Sequence, residues 1–325
     1  MNLSLNKKYD FDIDASVNSY AGELALPYVT AALLGAETIA KGRCRFLEGI
    51  VGKTVISGLA TTDTIQAANC DFSGGSNVAL TEQVLNPSDL AVMEEVCRGT
   101  MYPTWIAANG RMERNGELPV AWGDFLLGAV AERTGSNLEN LLWSGDAGAV
   151  FGTGFLSNDG VIDEAGIDAS ACANFVEATT SAAAWDNTNI LANLSTIFDT
   201  ASAIPGILGK PGCGFYVSYE AYAFFLQAMA AQNTGAGFNQ SFEGANYLGY
   251  PVYATSGIPN TVDVAVFTYP DNLVVGANSY TADISAQLIP TYQYDGSDNV
   301  RISMRFAVGV QTGVATDGVV GFLFT

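Results

Sequence analysis

Tyr247-Leu248-Gly249-Tyr250-Pro251-Val252-Tyr253, with Ser256-Gly257-Ile258-Pro259 close behind it, lies within the stretch that decides the fold, residues 212–325. Ahead of it a short apolar run, Gly214-Phe215-Tyr216-Val217-Ser218, leads into a helix-like segment over 219–232. Behind it come Val264-Ala265-Val266-Phe267 and Asn272-Leu273-Val274-Val275-Gly276. A long alternating run over 300–310 and an apolar end over 318–325 complete the chain. Short apolar runs bounded by Gly, Pro and Asn read as strands, and alternation reads as a strand with one buried face. This part of the chain is therefore β-rich, with one helix set among the strands.

Upstream, the strongest helical signal covers 118–143, where Trp122, Phe125, Leu126, Ala129 and Val130 recur at helical spacing. Ser136-Asn137-Leu138-Glu139 has the form of a capping box, so the pattern predicts a break at Gly135 and a restart before Leu141, Leu142 and Trp143. A turn, Ser144-Gly145-Asp146-Ala147-Gly148, follows. The glycine-rich stretch 152–160 lacks both the G-x-G-x-x-G spacing and the lysine of a phosphate-binding loop, and reads as a loop leaving the helix. Residues 159–187 are acidic and rich in Ala, Ser and Thr, a surface excursion. Residues 188–203, with Ile190, Leu191, Leu194, Ile197 and Phe198, form a second amphipathic helix stopped by Pro205-Gly206.

Near the N-terminus a short helix is expected over about 26–40, just after Pro27. Apolar runs at 46–59 and 78–85 flank a polar loop that holds Thr61-Thr62-Asp63 and Gly74-Gly75-Ser76-Asn77. This reads as a projecting hairpin, which is marginal in water and needs a partner surface. Asn86-Pro87-Ser88-Asp89 then caps an expected helix from Leu90 through Val92, Met93, Val96 and Cys97. No internal repeat is visible. The fold class is α+β, with two intertwined subdomains.

In this order of elements the chain resembles the major capsid proteins of tailed bacteriophages, the HK97-like capsid fold. The resemblance spans most of the chain and is most specific over 247–322, where Leu248-Gly249-Tyr250-Pro251-Val252 stands for the family's Leu/Phe-Gly-x-Pro-Val strand and Pro259 for its nearby proline. It implies an N-terminal arm over 1–42, and an extended β-hairpin loop with a following helix over 43–100. A peripheral domain over 101–211 would contain a spine helix at 118–143. An axial domain would cover 212–290, and strands over 291–325 would return to the peripheral domain. Arm and loop would lie on neighbouring subunits. Lys53 stands near the base of that loop, where some members link a lysine to a neighbour's asparagine. Nothing else here matches that motif, so a surface lysine or an intersubunit ion pair is the simpler reading. The chain enters the arm almost at once, and Met1 favours a separate scaffolding protein over a cleaved extension.

Composition narrows the chemistry. With 49% hydrophobic and 14% charged residues the chain can bury a sizeable core. It has no histidine, which removes Ser-His-Asp triads, Cys-His dyads and His-ligated metals. Cys44, Cys70, Cys97, Cys172 and Cys213 are dispersed with no C-x-x-C, and read as buried reduced thiols. Asp10-x-Asp12-x-Asp14 starts like a calcium loop but lacks its glycine and closing glutamate. The adjacent carboxylates Glu94-Glu95 and Asp163-Glu164 point to different faces. Tyr219, Tyr222, Phe224 and Phe225 read as core packing. No catalytic, cofactor-binding or metal-ligating residue is assigned, and no cofactor is expected. No apolar run is long enough to span a bilayer, and residues 1–14 lack a secretion signal's apolar centre, so synthesis in a cytoplasm is expected.

The net charge is −20. Residues 1–133 carry 10 Lys/Arg against 16 Asp/Glu, and residues 134–325 carry 3 against 17. A specific nucleic-acid binder needs a basic footprint, and this chain has none. Arg301 and Arg305 are two of those three cations and share one strand face by the period of two. Both are expected to pair with carboxylates, within the chain or across a subunit boundary. Lys53, Arg301 and Arg305 are thus the candidate intersubunit contacts. Through the resemblance, the expected function is structural: self-assembly into the pentamers and hexamers of an icosahedral head, in the host cytoplasm, around double-stranded DNA that it does not grip. Its partners would be copies of itself, with scaffolding, portal and decoration proteins beside them and no membrane. An encapsulin-like nanocompartment shell on the same fold is the alternative. An α+β enzyme is a third reading, disfavoured by the missing histidine.

Overall fold

The computed structural model describes residues 19–21, 31–33, 35–61, 78–97, 122–145, 154–156, 162–163, 166–167, 175–181, 183–231, 244–278, 285–291, 294, 296–297 and 299–322. Its longest strand, β15 (Asn299–Thr312), organises the first of two six-stranded sheets. One edge of β15 pairs with β5 (Ser88–Cys97), from Asn299↔Cys97 to Val308↔Ser88. The other edge takes two strands end to end, β14 (Ser285–Pro290) and then β13 (Leu273–Asn278). Beyond these, β1 (Ser19–Ala21) flanks β14, and β2 (Arg45–Glu48) runs parallel to β13.

Alternation along β15 sets the two faces of this sheet. Val300, Ile302, Met304 and Phe306 are buried while Arg301 and Arg305 are exposed. Under the buried face lies α2 (Trp122–Ser144), which presents Leu127, Ala131, Leu138 and Leu142 along one stripe, every one fully enclosed. From Phe306 to Val310 every β15 residue is buried.

The second sheet runs in the order β10 (Asn246–Tyr247), β11 (Tyr250–Ala254), β9 (Gly214–Val217), β12 (Val264–Thr268), β16 (Val319–Phe322) and β8 (Val176–Thr179). Phe215, Val217, Ala265, Phe267 and Val319 join a core that includes buried residues of α3 (Ile190–Ser202) and α4 (Tyr219–Ala231). Their neighbours Tyr216, Val264, Val266, Val320 and Phe322 join the core built around α2. Both faces are covered, so these strands are unbroken apolar runs. Trp143, at the end of α2, packs against Tyr216 with ring centroids 5.4 Å apart and so joins the two layers.

Several expectations are corrected. The segment after Asn86-Pro87 is strand β5, not a helix. Leu90, Val92 and Val96 turn inward at even positions, while Ala91, Met93, Glu95 and Cys97 are exposed. The ten-residue ladder with β15 outweighs the helical spacing. The expected break at Gly135 is absent, and α2 is continuous. Gly135 serves close approach instead: a Cβ there would lie 2.5 Å from the Gly35 Cα. Of the expected face of α2, Leu126 is buried and Val130 packs against the core, while Ala129 is exposed. Of the expected helix over 26–40, the described residues show helix at 31–33 and, after Gly35, the short α1 (Glu37–Ala40), while 26–30 and 34 lie outside the described residues. The two sheets are interleaved along the chain: β13 and β14 belong to the first, and β8 and β16 to the second. Leu248-Gly249 is a turn, and only Tyr250-Pro251-Val252 of that motif is strand. Within 159–187 a two-stranded ribbon forms from β6 (Ile162–Asp163) and β7 (Gly166–Ile167). The Asp10-Asp12-Asp14 cluster, Cys70, Cys172 and the loop over 62–77 lie outside the described residues.

Candidate assembly surfaces and the junction that braces them

The expected hairpin is present as β3 (Thr54–Thr61) and β4 (Val78–Leu85), which pair only with each other over eight residues. Its base is anchored. Leu85 is fully buried against Ile50 and Gly276 of β13, and the Gln311 amide of β15 donates to Gln83 Oε1 at 2.9 Å. One face of the ribbon is not covered by any described layer. The cross-strand pair Val55↔Val84 is 53% and 48% exposed there. Val51 in the preceding loop is also exposed. A second apolar feature is a groove of about 430 Å³ between α2 and β5, lined by Leu90, Val92, Val96, Val130, Leu141 and Ile302.

Of the three candidate cations, Arg301 finds its partner inside the chain. Its Nε lies 3.0 Å from Glu95 Oε2 across the β15–β5 ladder, and Asn299 donates to the other carboxylate oxygen. Both partners are largely exposed, so the pair contributes about 0–1 kcal/mol. Arg305 stands on the same face beside Asp89 and Asn278 in a shallow polar recess, without an ion pair among the described residues. Lys53 is exposed in the loop before β3, remote from both arginines in sequence and likewise without an ion pair among the described residues.

A polar junction ties the N-terminal segment to both layers, and sequence reasoning missed it. Glu139 of α2 is buried and accepts four hydrogen bonds. They come from the Thr38 amide at 2.9 Å, the Thr38 hydroxyl at 2.5 Å, the Thr255 hydroxyl at 2.6 Å and Trp143 Nε1 at 3.1 Å. Beside it, Glu37 accepts from Lys41 Nζ at 2.8 Å, the Tyr219 hydroxyl at 2.9 Å and the Ser256 amide at 3.2 Å. Arg43 donates to the Ala254 carbonyl and lies 4.6 Å from the centre of the Tyr253 ring. Burial opposes ionisation of Glu37, but its hydrogen bonds outweigh that and hold its carboxyl below the ordinary value. Burial, reinforced by Glu139, pushes the Cys44 thiol up to about 12, and burial pushes Cys213 up to about 11. The signal that could have exposed Glu139 is a carboxylate four residues before a tryptophan on an otherwise apolar stripe.

The described features are thus an anchored ribbon with an exposed valine pair, an apolar groove and a cross-layer brace. Among the described residues no cluster of three or more Cys, Asp and Glu is placed to hold a metal ion, and no helix is long and apolar enough to cross a membrane.

No family model matches the sequence, and no curated protein matches it. Solved structures do match over nearly the whole chain. The capsid of a native GTA particle shares 14% identity at a TM-score of 0.59, covering 91% of this chain and 91% of that one. A structure from Microbacterium phage Oxtober96 shares 16% identity at 0.56, covering 89% and 90%. The capsid of Myoviridae phage XM1 shares 10% identity at 0.54, covering 88% and 92%. At these identities the likeness is one of fold, and the chain has the mixed α+β fold of phage capsid proteins.

Proposed function

We propose that this chain is a major capsid protein, the repeating subunit of an icosahedral phage head built from pentamers and hexamers around double-stranded DNA. The observation that carries the reading is the match to capsid structures across about nine-tenths of this chain and of theirs. In this reading the first sheet with α2 is the peripheral domain, α2 its spine helix, the second sheet with α3 and α4 the axial domain, and β3–β4 the extended loop. Residues 1–42 act as an arm. Val51, Val55 and Val84 are covered by a neighbouring subunit, each contributing about 1 kcal/mol when buried. The groove between α2 and β5 receives apolar side chains of such a neighbour. An excess of carboxylates lets the wall enclose DNA without holding it. Assembly takes place in the host cytoplasm, with the virion as final location.

Expression of the chain, alone and with its phage's scaffolding protein, tests this by size-exclusion chromatography and negative-stain electron microscopy. Closed shells, or rings of five and six, are expected. A uniform monomer under both conditions refutes the reading. Replacing residues 58–75 by a short Gly-Ser turn is expected to leave a soluble subunit that forms no shells.

A further inference from the structure

Leu248 breaks two local rules at once. It is the one non-glycine residue with a positive φ among the described residues, at 49°. With Gly249, at φ 88°, it forms the two-residue loop closed by the Tyr247↔Tyr250 pair of β10 and β11. Two positive φ values in such a loop mark a type I′ turn, a position for Asn, Asp or Gly, where a leucine Cβ crowds the backbone. The side chain gains little from the subunit's own core, because Leu248 is 57% exposed. Residues that violate local preference without an internal return concentrate where function requires them.

The subunit holds this tip firmly. The Tyr247 hydroxyl donates to the Leu191 carbonyl of α3 at 3.0 Å, and the Tyr250 hydroxyl to the Leu208 carbonyl in the 3-10 turn Ile207–Gly209, also at 3.0 Å. The Tyr250 ring packs against Phe198 and Phe267, with centroids 5.7 and 5.4 Å away. Below the tip, Leu191, Phe198, Leu208, Tyr247 and Tyr250 are all half-buried and make an apolar corner. Asp199, which acts electrostatically on Tyr247, and Lys210, placed over the Tyr269 ring, are charges at its margin.

We propose that the Leu248 tip is a contact point for a second copy of this chain, with the leucine seated against an apolar surface of that copy. Charge argues for this occupant. A basic partner would be drawn to the carboxylates that dominate residues 134–325. Another copy carries the same −20 and approaches most easily where charge is sparse and apolar surface is held ready. The proposal rests on the shell reading.

The test compares wild type with Leu248→Asn and Leu248→Gly, which suit the turn and remove the apolar side chain. Both variant subunits are expected to melt at or above the wild-type temperature. The concentration needed for assembly, followed by light scattering and electron microscopy, is expected to rise at least about tenfold, equivalent to about 1.4 kcal/mol per contact. Variants that assemble like wild type overturn the tip assignment alone. So do variants that melt several degrees lower, since Leu248 then serves the subunit's own fold. A wild-type chain that never assembles, with or without scaffold, overturns the shell reading and the tip assignment together.

Discussion

Replacing Glu139 probes the brace between the layers most directly. Glu139→Ala strips the acceptor from the Thr38 amide and from the Thr38 and Thr255 hydroxyls, while Trp143 Nε1 keeps Thr38 Oγ1 at 2.9 Å. A buried donor left unpaired costs about 1–3 kcal/mol. The hydroxyls can rotate, and Thr255 already receives the Gly257 amide, but the Thr38 amide is fixed by α1. Removing a buried carboxylate also returns part of its desolvation cost. The net expectation is a loss of about 2 kcal/mol, a Tm drop of about 3 °C for a chain of 325 residues. Glu139→Gln keeps the shape and one acceptor oxygen, so about half that loss is expected. Urea unfolding of the subunit, followed by tryptophan fluorescence, measures both. A cycle with Thr38→Ala is expected to show a coupling of about 1 kcal/mol or more. A Glu139→Ala cost below about 1 kcal/mol, or strict additivity with Thr38→Ala, would refute the network as an energetic brace.

Three further outcomes are expected. Leu85→Ala should cost about 3 kcal/mol in urea unfolding, because it empties the socket at the hairpin base, whereas Val84→Ala next to it should cost less than about 0.5 kcal/mol in the isolated subunit. Gly135→Ala, a favourable change in an ordinary helix, should destabilise by about 1–3 kcal/mol because its Cβ meets Gly35, as a thermal melt will show. Glu37 has a folded pKa below its ordinary 4.5, so its contribution is fully present above pH 4.5 and is lost as pH falls through the lower folded value. Glu37→Gln should accordingly flatten the acid limb of the subunit's stability-against-pH curve, and an unchanged limb would contradict the Glu37 contacts.

How much of this was legible in the sequence depends on where each residue's partner lies. The strands of the second sheet were plain because both faces are covered, so 214–217, 264–268 and 319–322 are continuous apolar runs whatever they pair with. The long helix was plain from its period. The segment 88–97 was not, since Leu90, Val92 and Val96 satisfy a period of two while Leu90, Met93 and Cys97 satisfy a helical one. What decides between them is a ladder with β15, some two hundred residues downstream. Gly135 looked like a break because its partner, Gly35, is remote. Glu139 looked like a cap because its spacing from Ser136 is local, while its strongest contacts, to Thr38 and Thr255, lie 101 and 116 residues away.

The assembly surface is the hardest to read, and the adjacent pair Val84 and Leu85 shows why. Both sit in one apolar run, both have high propensity for burial, and sequence treats them alike. Register alone separates them: Leu85 turns to Ile50 and Gly276 and is fully buried, while Val84 turns with Val55 to the uncovered face. A subunit of an assembly has two sets of apolar residues, one satisfied by its own chain and one by a neighbour, and they follow the same periodic pattern. Leu248 differs because its backbone marks it. A leucine that fits neither core nor turn is costly for the isolated subunit, and its replacement by asparagine should therefore move stability and assembly in opposite directions. A core residue such as Leu85 would lower both.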